Sequence, residues 1–360
     1  MSCKLRVTFV LPRTGEWPSG GLRVVYEYAN RLADRNHVVT VAHPARLVID
    51  PNKFDHLKNA ARYILRKLDG RYTPNEWLSI DPRVRLLCLP SLSDRFLPDG
   101  DIVIATAWQT AEWVSRYPRS KGRGVYFIQH FETWNGPKYR VVNTWKTPLQ
   151  KIVPSRWLAE MARDLGETAI YIPNGLDIES FSTVIPSEKR RSNQLMMLYH
   201  EAEWKGSADG LDAIFRVREK NPDLRLTLFG VPERPPLLPE WVEYYRSPSP
   251  KLLRDLYNQT AIFVAPSRTE GWGLPGCEAL LCGAALVATD IDGHREFAVH
   301  ERTALTSPAR SPEALADNIL RLIQSPELRI ELAKSGSQYV RQFTWERALN
   351  SFEAALFSLA

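Results

Sequence analysis

The residues best suited to chemistry in this 360-residue chain lie between Pro266 and Glu278, in the run Pro-Ser-Arg-Thr-Glu-Gly-Trp-Gly-Leu-Pro-Gly-Cys-Glu. The run follows an apolar stretch, Ile262–Ala265, with the character of a buried strand, and passes through glycines into a helical pattern. Pro275 suits the opening of that helix, where a missing N–H costs nothing. Unpaired backbone N–H groups and the dipole at a helix start attract anions, phosphate above all. Two carboxylates flank this anion site: Glu270 ahead of the glycines and Glu278 in what reads as the first turn. Carboxylates repel a phosphate unless they face hydroxyl groups instead. The combination points to a ligand with hydroxyls on both sides of its phosphates, and a nucleotide sugar has that form. Taken singly, Glu278 could simply complement the helix dipole and Glu270 could be a solvated loop residue. Together with the glycine loop they argue for a site.

Such a loop needs a rigid sheet to carry it. Leu5–Leu11, Val38–Ala42, Ile102–Thr106, Val125–Ile128 and Ile152–Val153 read as strands with helical patterns between them. The pattern restarts after Ile172 with Leu195–Tyr199, Leu224–Phe229, Ile262–Ala265 and Ala285–Ala288. Alternating strand and helix predicts an α/β fold with parallel sheets covered on both faces, built twice. The expected domains are residues 1–172 and 173–343, joined near Pro173–Phe181, with ligand in a cleft between them. Trp345, Ala348, Leu349, Phe352, Ala355 and Leu356 share one face of a last helix behind Thr344. Residues 344–360 are expected to pack back on the first domain.

Composition excludes several classes. With 44% hydrophobic and 24% charged residues, the chain is neither disordered nor low-complexity. No stretch approaches the roughly 18 apolar residues of a membrane span. The first apolar run meets Pro12 and Arg13 too soon to serve as a signal-peptide core, so a cytoplasmic location is expected. Cys3, Cys88, Cys277 and Cys282 match no zinc or thioredoxin spacing, and the seven histidines are scattered, so no metal site or cofactor is expected. The first strand lacks the Gly-x-Gly-x-x-Gly that a dinucleotide oxidoreductase would place after it.

The arrangement of Glu270, seven residues and Glu278 resembles the signature of retaining glycosyltransferases of family 4, whose GT-B fold consists of two facing Rossmann-like domains. Further segments are similar to that family in the same order. They are Ser19-Gly20-Gly21 at the first helix, Asn174-Gly175-Leu176-Asp177 with Phe181, Lys205-Gly206, and Thr289 to Glu296. The resemblance implies that Lys205 pairs with the nucleotide diphosphate in place of a metal ion. It also implies that Glu278 holds the ribose and Glu270 the hydroxyls of the transferred sugar. The backbone of Gly271, Trp272, Gly273 and Leu274 would touch phosphate and sugar, and Gly20 and Gly21 would let main chain approach the reaction centre. His130 stands where the family often has a histidine near the donor sugar. One departure stands out: five residues before Lys205, where the family usually has arginine, this chain has His200. Histidine is close to neutral at pH 7, whereas arginine is always charged. Arg268, or a basic residue from the facing domain, could compensate.

The formal charge of +6 is uneven. Residues 1–175 carry 26 Lys and Arg against 16 Asp and Glu, and the remainder 21 against 25. No nucleic-acid motif accompanies the basic half, so an anionic membrane or a phosphorylated acceptor explains it better. Lys53–Arg71 reads as a basic amphipathic helix, with Phe54, Leu57, Ala61, Ile64, Leu65 and Leu68 on one face. Peripheral docking on anionic lipid is one reading, and a helix packed on the sheet is the other. Trp134, Tyr139 and Trp145 could offer stacking faces to a sugar acceptor, or could lie in the core. The reading that emerges is retaining, metal-independent transfer from a nucleotide sugar to a glycan or lipid-linked hydroxyl acceptor, in polysaccharide or lipid-linked oligosaccharide assembly. A catalytically impaired nucleotide-sugar-binding scaffold, or another GT-B enzyme such as a sugar-nucleotide epimerase, remains as the alternative.

Overall fold

The computed structural model describes residues 4–15, 18–48, 53–70, 72–74 and 77–360. Cys3, Arg71 and the side chains of Lys53, Phe54 and Leu57 lie outside the described set. The chain divides into two compact units, residues 1–175 with 346–360, and residues 176–345.

The first unit contains β1 (Arg6–Val10), α1 (Gly20–Asp34), β2 (Val38–Pro44), α2 (Lys53–Asp69), β3 (Arg85–Leu89), β4 (Ile102–Ala105), α3 (Trp108–Val114), β5 (Arg123–Phe127), α4 (Lys138–Trp145), β6 (Gln150–Val153), α5 (Arg156–Asp164) and β7 (Ala169–Tyr171). The second contains β8 (Gln194–Leu198), α6 (Ser207–Lys220), β9 (Arg225–Gly230), β10 (Val242–Arg246), α7 (Pro250–Gln259), β11 (Ile262–Ala265), α8 (Leu274–Leu281), β12 (Ala285–Thr289), β13 (Leu305–Ser307), α9 (Pro312–Gln324) and α10 (Pro326–Val340). A last helix, α11 (Trp345–Phe357), returns to the first unit.

Both sheets are parallel. Their orders are β3-β2-β1-β4-β5-β6-β7 and β10-β9-β8-β11-β12-β13. Each order reverses direction once, between β1 and β4 and between β8 and β11. Open α/β sheets bind ligands outside the carboxyl ends of the strands at such a switch point, because the connecting helices there diverge to opposite faces.

Four strands are not among those read from the sequence: β3, β7, β10 and β13. They are the four sheet edges. An edge strand need not be apolar on both faces, and β10 (Val-Glu-Tyr-Tyr-Arg) carries charge at its second and last positions.

The second core is aromatic around Phe229, Tyr257, Phe263, Trp272, Phe297 and Phe343, all buried. Each such side chain contributes about 1.5–3 kcal/mol over an exposed one. In the first unit, α11 inserts Phe352 between Tyr28, stacked at 4.2 Å, and Phe127, edge-on at 5.7 Å. Polar contacts fix the same helix. His37 Nδ1 accepts from the Leu5 amide, which leaves the proton on Nε2 to donate to Glu353 at 2.7 Å.

Candidate functional site

The second unit's switch point gathers the candidate residues. From the end of β8 the chain runs through His200 into a single 3-10 turn, Glu203–Lys205, and then into α6. From the end of β11 it runs through Ser267 and Glu270 into α8. Lys205 Nζ meets Glu270 Oε1 at 2.7 Å, and Ser267 Oγ donates to the same oxygen at 2.9 Å. Lys205, Ser267, Glu270, Gly273 and His294 line one pocket.

Two glycines make this approach possible. Gly206, with φ +63°, is left-handed, and a Cβ there would sit 2.0 Å from the Pro266 carbonyl oxygen. Lys205 therefore lies hard against the strand end that carries Glu270. Gly273, with φ +108°, caps α8, and a Cβ there would press on the His294 ring at 2.9 Å. The amides of Arg268 and Thr269 both donate to the Trp204 carbonyl, tying the two loops together.

Histidine chemistry at the site is set by burial. His200 Nδ1 accepts from the Ala202 amide at 2.9 Å, so the neutral ring carries its proton on Nε2. Burial, and then the neighbouring Lys205 charge, push its pKa down. His200 therefore offers a neutral N–H where the resembled family has a cation. His294 is fully buried; its Nδ1 lies 3.0 Å from the Thr289 carbonyl and must donate to it, and burial lowers its pKa too.

Two sequence expectations, for Arg268 and Glu278, need correction. Arg268 does not supply a spare cation: its guanidinium grips Asp209 at 2.8 and 2.9 Å and also pairs with Glu203. Trp272 has only its backbone to offer a ligand, as the resemblance implies, because its ring is buried against Phe343 at 5.2 Å and Phe297 at 6.2 Å. Glu278 lies beyond the first turn of α8, which opens at Leu274, so complementing the dipole does not explain it. Its buried carboxylate instead accepts from the Tyr257 hydroxyl at 3.3 Å. Ser267 and His294 are the residues that sequence reasoning passed over. Both stood inside segments already singled out, but a serine and a histidine there matched no motif position.

The first unit places its own candidates at the ends of β1 and β5. Gly20 opens α1, capped by Ser19, and the Gly21 carbonyl accepts from Gln129 Nε2 at 3.0 Å. Next to Gln129, the His130 ring stands edge-on to Trp134 at 4.3 Å and to Trp157 at 5.7 Å. Trp134 and Tyr139 are 39% and 66% exposed, whereas Trp145 is fully buried and leaves any stacking surface to the other two. Among the described residues no group of acidic, cysteine or histidine side chains has the arrangement of a metal site, and no helix is long and apolar enough to cross a membrane.

Comparison with known proteins bears on family likeness and fold. Residues 196–325 match the family described as Glycosyl transferases group 1. A phosphatidyl-myo-inositol mannosyltransferase of Mycobacterium tuberculosis is 27% identical over 205 residues, 53% of either chain, so the match spans about half of that relative's length. Its Mycobacterium leprae counterpart is 23% identical over 95% of this chain and 93% of its own. Among solved structures, Anabaena HepE in complex with UDP-glucose superposes with a TM-score of 0.75 over 99% of this chain and all of that one, at 16% identity. The chain has the GT-B fold of the structures on which it superposes, and its residues 196–325 are similar to the group 1 glycosyl transferases.

Proposed function

We propose that the protein transfers a sugar from a nucleoside-diphosphate sugar to a hydroxyl acceptor, with retention at the anomeric carbon and without a metal ion. The observation that carries this reading is the Lys205–Glu270 pair at the β8/β11 switch point, beside the glycine-capped start of α8. Lys205 and the α8 amides take the diphosphate, Glu270 takes sugar hydroxyls, and Glu278 takes the ribose. In the first unit, His130 and the Gly20–Gly21 main chain act on the transferred sugar. The bond from the anomeric carbon to the diphosphate oxygen breaks as the acceptor oxygen bonds on the same face. The acceptor proton passes to the leaving diphosphate oxygen. Lys205 and the amides stabilise the charge that develops on that leaving group, where fixed dipoles act most strongly.

The acceptor is assigned to the basic first unit as a glycan or lipid-linked hydroxyl. Helix α2 supports a lipid surface: it exposes Ile64, Leu65 and Leu68 at 57%, 62% and 81% beside the cations Lys58, Arg62 and Lys67. A second reading has its own support. With His200 neutral and Arg268 engaged, the described residues that line the second unit's pocket offer a single cation for two phosphates, as a nucleotide-sugar-binding protein of weak or lost activity would.

Calorimetry and thermal shift with nucleoside diphosphates and their sugars, in EDTA, test the proposal. A ligand at a hundredfold excess over its Kd adds about 2.7 kcal/mol of stability. One nucleotide sugar should bind, turn over with a hydroxyl acceptor, and lose its effect in Lys205→Ala and Glu278→Ala. Binding without turnover favours the second reading, and no binding by any nucleotide defeats both.

A further inference from the structure

We infer that the Lys205–Glu270 pair is a release device, opened most favourably by a ligand that brings both an anion and sugar hydroxyls, and re-formed to help expel the nucleoside diphosphate left after transfer. This inference rests on the nucleotide-sugar reading of the same pocket.

The pocket is close to charge-neutral before any ligand arrives. Of the described residues that line it, Lys205 is the one cation and Glu270 the one carboxylate, and they face each other at 2.7 Å. Both side chains are largely withdrawn from water, 24% and 13% exposed, so screening between them is weak. The neighbours reinforce the balance. His200 and His294 are held neutral by burial, and Arg268 has its charge answered by Asp209 and Glu203.

A diphosphate can gain Lys205 only by drawing it from Glu270. The displaced carboxylate keeps the Ser267 hydroxyl but gives up its contact with Lys205, and it now stands near a second anion. Sugar hydroxyls repair that loss by donating to Glu270, as the lysine did. A nucleoside diphosphate without its sugar cannot, so Glu270 competes with it for Lys205. Glu270 thus favours the complete donor and disfavours the spent one. A carboxylate that only binds sugar would have no effect on the bare diphosphate.

The two roles separate in Glu270→Gln, which keeps the shape and removes the charge. The full-length protein is titrated calorimetrically with UDP, GDP, dTDP and ADP and with a hexose-bearing form of each. The expected result is that the bare diphosphate binds the variant about five- to tenfold more tightly than the wild type, while the sugar form binds more weakly. Glu270→Ala should repeat the gain, which guards against a fault peculiar to glutamine. In a Lys205→Gln background the same change should give no gain, because no lysine is left to compete for. If the wild type binds nucleotide but the bare diphosphate binds Glu270→Gln no better, the release device is overturned and the donor site stands. If neither protein binds any nucleotide, both fall.

Discussion

Arg268 and Asp209 are joined at two points, Nε to Oδ2 at 2.8 Å and a terminal nitrogen to Oδ1 at 2.9 Å. The pair links the loop after β11 to helix α6, and Asp209 holds the guanidinium pKa above its ordinary value. A fork-to-fork contact of this kind fixes geometry as well as charge. Asp209→Asn should therefore lower stability by about 1–3 kcal/mol, the range for leaving one member of a shielded polar pair unanswered. Chemical denaturation measures it; an unchanged midpoint and slope would mean that the pair does not brace the loop.

His200→Arg should restore a permanent positive charge beside Lys205. The expected gain in nucleoside-diphosphate affinity is about tenfold, one pKa unit's worth of interaction. Because His200 has a depressed pKa and is already neutral at pH 7, wild-type affinity should change little between pH 7 and 8. A steep loss of affinity over that interval would mean that His200 binds as a cation after all.

Replacing Gly206 by alanine should damage the site more than its size suggests. The left-handed backbone at φ +63° costs a non-glycine residue about 1–2 kcal/mol, and the Pro266 carbonyl occupies the place of the new methyl. Either Lys205 or the Pro266 turn has to move. Melting temperature and donor affinity should both fall, and a variant with wild-type donor affinity would show that the close approach is dispensable.

Two buried groups should leave opposite marks on the pH dependence of stability. His43 is fully buried and its pKa falls to about 4, so the unfolded chain takes up a proton below about 6.5 that the folded chain refuses. Its effect is a loss of stability as pH falls from about 6.5 to about 4. Burial lifts the Glu132 carboxyl to about 7 against an opposing hydrogen bond from the Trp108 amide. The folded chain then holds a proton that the unfolded chain releases, and stability is lost as pH rises from about 4.5 to about 7. Each shift corresponds to about 3 kcal/mol at full effect, and the two oppose each other between pH 4.5 and 6.5. Glu132→Gln should steepen the acid loss and His43→Leu should flatten it. Denaturation at a series of pH values checks this, and parallel profiles for all three proteins would refute it.

Helix α2 should carry the protein to anionic bilayers. Flotation with vesicles of mixed zwitterionic and anionic lipid should recover the wild type, and Leu65→Glu with Leu68→Glu should abolish recovery. Added salt should weaken binding, because cations near the surface each contribute about 1 kcal/mol through a screened field. Equal recovery with purely zwitterionic vesicles would remove the electrostatic part of the proposal.

The parts of the fold that can be read from sequence are those with water on neither side. The central strands β1, β4, β8, β11 and β12 are apolar runs because helices cover both faces, and each was recognisable from its residues alone. The edges β3, β7, β10 and β13 were not: β10 and β13 carry polar residues, as an edge allows, and β7 and β13 are only three residues long. A similar limit applies to the site. Glu270, Glu278 and Lys205 stand at spacings that a linear pattern records. The engagement of Arg268 by Asp209, and of Trp272 by Phe343, depends on partners 59 and 71 positions away that only the folded chain brings near. An arginine in a phosphate-binding motif and an arginine bracing a loop look the same in sequence.

The return of α11 to the first unit has a consequence for biosynthesis. Phe352 fills the space between Tyr28 and Phe127, and Glu353 answers His37 across 316 positions. On the ribosome, residues 1–175 emerge early but cannot complete their interior until residues 346–360 have been translated, with the whole of the second unit made in between. The second unit has no such debt and can fold as it emerges. Domains usually fold in the order of synthesis; here the unit made first should be the last to become protease-resistant, and a nascent chain stalled before Phe352 should still expose the aromatic cleft that this ring closes.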